Sequence, residues 1–326
     1  MKLKEVTLEE FLAKKTEFVL QAQPVKIKNA YPQMGSNLLD NLCEELAANA
    51  KQSQIHYLTC GSETAGRYFY NEQLNGFNFT VASSSLAQFF SLLNAQSSKP
   101  NKQYYAAQAI PVEAVFSKQV MSEICHPVLA NNADVRMWIG NQCNTAAHFD
   151  FSENVAIVLA GRRKFTLFPP ETIGDLYVGP INCTPGGTPI SLVDVSAPDL
   201  QRFPRYANAL EHAIEVDVDS GEGIYIPNLW WHSVQSLSDI NILINYWWKQ
   251  ESTRQDKPFE SMLYLMSFMP SLPLEQRKAW QSFFNHFVFR TEDSSLAHLP
   301  TDLHDLSANI TEEDREKVRE WFKSLI

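Results

Sequence analysis

Two short stretches carry residue types that hold metal ions. His148-Phe149-Asp150 is an HxD triplet, and His232 follows Asp150 by 82 residues in Tyr225-Ile226-Pro227-Asn228-Leu229-Trp230-Trp231-His232. Eight histidines and 37 acidic residues in 326 make about 0.9 such triplets by chance, so the triplet alone says almost nothing. Its setting says more. In extended chain successive side chains point to opposite sides, which puts His148 and Asp150 on one face. A third ligand from another strand would then cap one side of an ion. Two imidazoles and one carboxylate leave coordination positions free, the donor set of a reactive non-haem ferrous centre. His232 is the candidate third ligand. The alternative for it is a hydrogen-bonded histidine beside a tryptophan pair.

Such ligands need strands to carry them, and the chain offers a block of them. Arg136–Ile139, Val155–Ala160, Phe165–Phe168, Glu215–Val218, Gly223–Ile226, Ser233–Leu237 and Ile242–Trp248 read as short strands. Gly161, Pro169-Pro170, Gly186-Gly187, Ser220-Gly221 and Pro227 punctuate them. Many short strands in one block predict a sandwich or barrel. Upstream, Thr7-Leu8-Glu9-Glu10 has capping-box spacing and opens a helix. Residues 17–30 read as extended, 36–50 and 84–94 as helices, and 54–60, 66–70 and 77–81 as strands. Downstream, Pro258 starts a helix, a second runs over 274–288 and a third opens at Thr311. The layout predicts a β domain over 1–250 and a helical region over 251–326. A long stretch from Asp175 to Pro204, between strands, is expected to reach toward substrate.

Composition bounds the rest. A net charge of −10 with scattered Lys and Arg gives no electrostatic footprint for DNA or an anionic membrane. The longest apolar run, Val155–Ala160, is too short to span a bilayer. Five cysteines, odd in number and never closer than 17 residues, predict free thiols in a reducing compartment rather than disulfides. The expected location is the cytoplasm.

Three ordered motifs resemble a known family. Thr145-Ala146-Ala147-His148-Phe149-Asp150, with Asn154, leads into Gly161-Arg162-Arg163-Lys164-Phe165-Thr166-Leu167-Phe168-Pro169-Pro170. Gly221-Glu222-Gly223-Ile224-Tyr225-Ile226-Pro227 then leads to Trp230-Trp231-His232 and Asn245-Tyr246-Trp247-Trp248. Together they resemble the JmjC domain of the cupin superfamily, in the branch that holds the hypoxia-inducible-factor asparaginyl hydroxylase. The likeness is close over roughly 100–250 and loose before that.

The resemblance implies a double-stranded β-helix (jelly roll) core, mainly β, with flanking helices and a C-terminal helical region. It implies Fe(II) on His148, Asp150 and His232, with 2-oxoglutarate and O2 as cosubstrates. The activity it implies is hydroxylation of a protein side chain with release of succinate and CO2. The alternatives are the same chemistry on a small molecule, a free amino acid or an RNA nucleoside, and a cupin-type binding protein without turnover. By family position Tyr105, Thr145, Asn154 and Asn245 line the cosubstrate pocket. The family's cosubstrate lysine falls at Arg163, with Lys164 one step on. After a turn at Gly161-Arg162, Arg163 shares a face with Phe165 and Leu167, which predicts Arg163 inside and Lys164 outside. A bulge at Arg162 would reverse the two. Arg162 itself is expected in solvent, as is Glu153, which counts out of phase with Asp150. The aromatic C-terminal helices are expected either to form a homodimer interface or to cover the barrel's outer sheet.

Overall fold

The computed structural model describes residues 3–31, 41–51, 54–97, 99–249, 257–289 and 311–323. Its strands are β1 Lys4–Thr7, β2 Val25–Lys28, β3 Ile55–Cys60, β4 Arg67–Tyr68, β5 Thr80–Ser84, β6 Tyr104–Pro111 and β7 Asp134–Gly140. They continue as β8 Asn144–His148, β9 Glu153–Ala160, β10 Arg162–Phe168, β11 Ile214–Asp219, β12 Gly223–Ile226, β13 Trp231–Ser236 and β14 Asn241–Trp248. From β7 on, consecutive strands alternate between two sheets, except that β10 and β11 are neighbours in the same one. One has the order β1-β2-β12-β9-β14-β7-β6-β3-β5, the other β11-β10-β13-β8-β4. That alternation is a double-stranded β-helix of eight strands, β7 to β14.

Side-chain alternation sorts each strand into two faces. Ala156 and Val158 of β9, Phe165 and Leu167 of β10, Ile224 and Ile226 of β12 and Leu243 of β14 meet between the sheets. The other face of the large sheet carries Val155, Ile157, Tyr225, Ile242, Ile244 and Tyr246 under a helical cover that includes Phe11, Leu46 and Phe89. Central strands buried on both faces read as continuous apolar runs, and β9 is buried over its first seven residues.

The sequence expectations meet this frame unevenly. Thr7 does cap the helix Leu8–Ala13, accepting from the Glu10 N–H at 3.2 Å. Residues 17–30 are not all extended. Lys15–Gln21 is helical, because Phe18 stacks on Phe11 at 5.6 Å between centroids, and only Val25–Lys28 is strand. The helix expected over 36–50 is Leu42–Asn49; 36–40 lie outside the described residues. The 77–81 strand begins instead at Thr80. Seven barrel strands were expected, and β8 is the eighth. Its Thr145-Ala146-Ala147 has no large alternating side chains to announce it. His148 is the last residue of β8, and Asp150 lies beyond its end.

The chain divides into two compact units, Met1–Glu251 and Ser252–Ile326. The second contains the helices Pro258–Met266, Leu274–Phe284 with a π turn Asn285–Phe289, and Glu312–Lys323. None of its described residues is buried; Phe283 is 56% and Trp321 63% exposed.

Candidate metal centre and its anion pocket

β13 runs antiparallel to β8 with His232 directly opposite His148. A register shift between His232 and Val234 then carries Thr145 opposite Val234. Asp150 lies just past the end of β8, where the Leu229 N–H donates to its backbone carbonyl at 2.9 Å. These three side chains each offer a ligand atom, and the three atoms lie within 4.8 Å of one another. The imidazole centroids are 4.3 Å apart, and His232 Nε2 is 3.6 Å from Asp150 Oδ2.

Backbone carbonyls fix the tautomers. His148 Nδ1 lies 2.9 Å from the Ala146 carbonyl and His232 Nδ1 3.1 Å from that of Trp230. A carbonyl only accepts, so both Nδ1 atoms carry hydrogen, which leaves Nε2 as the atom each ring can offer a metal. Burial, with help from the neighbouring His148, pushes His232 down to about 4, so its ring is neutral at physiological pH. Neutral imidazoles plus a carboxylate are the donors a divalent cation takes.

The supports lie behind the triad. The insertion between β10 and β11 packs on the back of β8: the Ser191 N–H donates to the Ala147 carbonyl at 2.7 Å, and Ile190 meets Ala146 and Tyr70. Trp230 reaches back to the Ala22 carbonyl through Nε1 at 2.9 Å. Glu153 was expected in solvent and is instead buried. Glu153 does count out of phase with Asp150, but the face it takes, with Val155 and Ile157, lies under the helices rather than in water, and there it accepts from the Tyr225 hydroxyl at 2.5 Å. Burial raises its pKa against the pull of Tyr225, Asn228 and Lys15. The signal that could have found this buried carboxylate is the continuous apolar run after it, which marks β9 as buried on both faces.

Along the barrel from the triad lies the other polar group. Arg163 shares the inner face with Phe165 and Leu167 and is buried, while Lys164 pairs with Glu215 at 2.8 Å on the outside. Arg162 is exposed and pairs with Asp217 and Asp219. Burial lowers Arg163 to about 10. Its only described acceptor is the Trp138 carbonyl, 3.4 Å from Nη2, and Nε has none. Among the described residues no carboxylate lies within ion-pair distance of it. Thr145 faces inward by its pairing with Val234, which packs on the inner cluster. Asn245 donates through Nδ2 to Asn154 Oδ1 at 2.7 Å, both side chains being buried. Tyr105 is not with them. It packs edge-on to Tyr57, 5.9 Å away, on the helix-covered face, because β6 turns Tyr104 and Ala106 inward instead. The inward tyrosine paired with Thr145 is Tyr68 of β4.

The fold and this site define a cupin-type barrel, and the comparisons agree. A family profile described as a Cupin-like domain matches residues 12–254, and the chain belongs to that family. It is 30% identical over 151 residues to the HSPB1-associated protein 1 homolog of Danio rerio, covering 46% of this chain and 33% of that protein. It is 28% identical over 141 residues to lysine-specific demethylase JMJ31 of Arabidopsis thaliana, covering 42% and 25%. With tRNA wybutosine-synthesizing protein 5 of Gallus gallus the values are 26% over 119 residues, 36% and 32%. The matched stretch spans a third or less of each of these relatives. Among the described residues no helix is long and apolar enough to cross a membrane.

Proposed function

We propose that this chain is an Fe(II)- and 2-oxoglutarate-dependent oxygenase that hydroxylates a protein side chain. One observation carries the reading. Two imidazoles and a carboxylate bring one ligand atom each to one place, and a buried guanidinium with no carboxylate partner among the described residues lies along the same barrel. His148, Asp150 and His232 hold the metal. Arg163 holds the distal carboxylate of the cosubstrate, for which its planar fork is suited. Thr145 and the Asn154–Asn245 pair shape the wall between them. Bound there, iron and cosubstrate supply oxygen activation, with succinate and CO2 as products; the protein orients and excludes water. The compartment on this reading is the cytoplasm.

The relative named for tRNA wybutosine synthesis favours a second reading, a nucleoside in RNA as substrate. Protein, RNA and metabolite extracts treated with the iron-loaded chain, and with a His232→Ala control, separate the two. A one-oxygen mass gain confined to peptides supports the first, and one confined to nucleosides the second. Wild-type protein that makes no succinate with any extract, and shows no visible charge-transfer band with anaerobic Fe(II) and 2-oxoglutarate, is a binding protein instead.

We also propose that a second copy of the chain covers the C-terminal helices. Three helices with no buried residue among those described do not make a core of their own, and an apolar face repeated by two-fold symmetry is self-complementary. Sedimentation at micromolar concentration should give twice the chain's 37.1 kDa; a clean monomer rules this out.

A further inference from the structure

Three N–H groups among the described residues share one side of the barrel and lack an acceptor: Arg163 Nε, Trp138 Nε1 and Trp247 Nε1. All three atoms are buried. A buried donor left unpaired costs on the order of 1–3 kcal/mol, so a cluster of them signals a ligand that accepts. Trp138 is placed to share Arg163's ligand. It packs on the inner cluster beside Phe165 and Leu243. Its own carbonyl takes the Arg163 Nη2 hydrogen, which ties the two residues together. Trp138 lies opposite the break in the β6–β7 ladder between Ala107 and Ile110, where Ala109 has φ 49°. Trp247 stands edge-on to Trp138 with centroids 6.2 Å apart, but lies opposite Asn154 toward the metal end.

With 2-oxoglutarate as the cosubstrate proposed above, we infer that the Trp138 indole N–H is a second donor to its distal carboxylate, beside Arg163. The carboxylate has lone pairs enough for both, and each bond is charge-assisted. Trp138 thereby selects for a dianionic 2-oxo acid over one that ends in a methyl group.

The test uses full-length protein loaded with Zn(II), which binds without turnover, and two probes: 2-oxoglutarate and 2-oxopentanoate, the same chain without the distal carboxylate. By calorimetry Trp138→Phe should weaken 2-oxoglutarate about tenfold, as expected for one hydrogen bond to a charged group, and leave 2-oxopentanoate within twofold. In wild-type protein the Trp138 indole N–H resonance should move downfield with 2-oxoglutarate and stay with 2-oxopentanoate, a readout independent of the variant's folding. Equal loss of both acids, or an indole resonance that ignores 2-oxoglutarate, overturns the inference and makes Trp138 a wall. Wild-type protein that binds neither acid overturns the cosubstrate reading itself.

Discussion

At the metal end of the barrel the imidazoles of His148 and His232 each commit Nδ1 to a backbone carbonyl. At the other end Arg163 Nε and Trp138 Nε1 have no acceptor among the described residues. The first end is oriented by the protein before any ion arrives, since the carbonyls hold the rings with Nε2 outward. The second is left polar and unpaired, and is satisfied only by what binds. Preorganised ligands favour tight, geometry-selective metal capture, and unpaired buried donors favour discrimination among anions. On the function proposed above, one barrel thus holds a finished site and one that the cosubstrate completes.

The difference can be broken most severely at the metal end. Replacing His148, Asp150 or His232 by Ala should abolish stoichiometric Fe(II) uptake, measured by metal analysis after anaerobic loading, and with it succinate formation. Retention of iron and turnover by His232→Ala would break the triad assignment. Zn(II) or Ni(II) in purified protein would not, because both bind nitrogen and oxygen donors more tightly than Fe(II) does. Arg163→Ala should leave iron uptake intact and raise the 2-oxoglutarate requirement by about two orders of magnitude, as for a charged hydrogen-bonded pair. Lys164→Ala removes only a surface pair with Glu215 and should change that requirement less than twofold. The reverse pattern would restore the bulge at Arg162. The smallest effect sharpens the contrast. Glu153→Ala strips the buried Tyr225 hydroxyl of its partner and should cost about 1–3 kcal/mol by denaturant midpoint, with the 2-oxoglutarate requirement unchanged.

What could be read ahead of the structure follows the same physics. The phase of Arg163 was legible because Phe165 and Leu167 are large and alternate cleanly on an unbroken strand. Glu153 was not, although its phase against Asp150 was counted correctly, because nothing in the alternation of β9 says that helices cover the face it takes. Strand β8 hid for want of bulk: Ala146 and Ala147 are small since the insertion and the neighbouring strands close on them from both sides. Tyr105 was assigned by motif position, and the motif does not say which of two adjacent tyrosines, Tyr104 or Tyr105, the strand turns inward. The pairing of His148 with His232 was legible only as a resemblance, since spacing alone cannot set the register of strands so far apart.

That separation has a consequence for folding. His148 and His232 face each other across a chain loop of 84 positions. An ion held by both ties those distant segments together as a reversible staple. Because it is released on unfolding, it stabilises by mass action, by about 2.7 kcal/mol at a free concentration a hundred times its Kd. The ion can bind strongly only once β8 and β13 have found each other, so it cannot guide their meeting and instead slows their parting. Chelation would then speed unfolding in stopped-flow denaturant jumps while leaving the refolding rate nearly untouched.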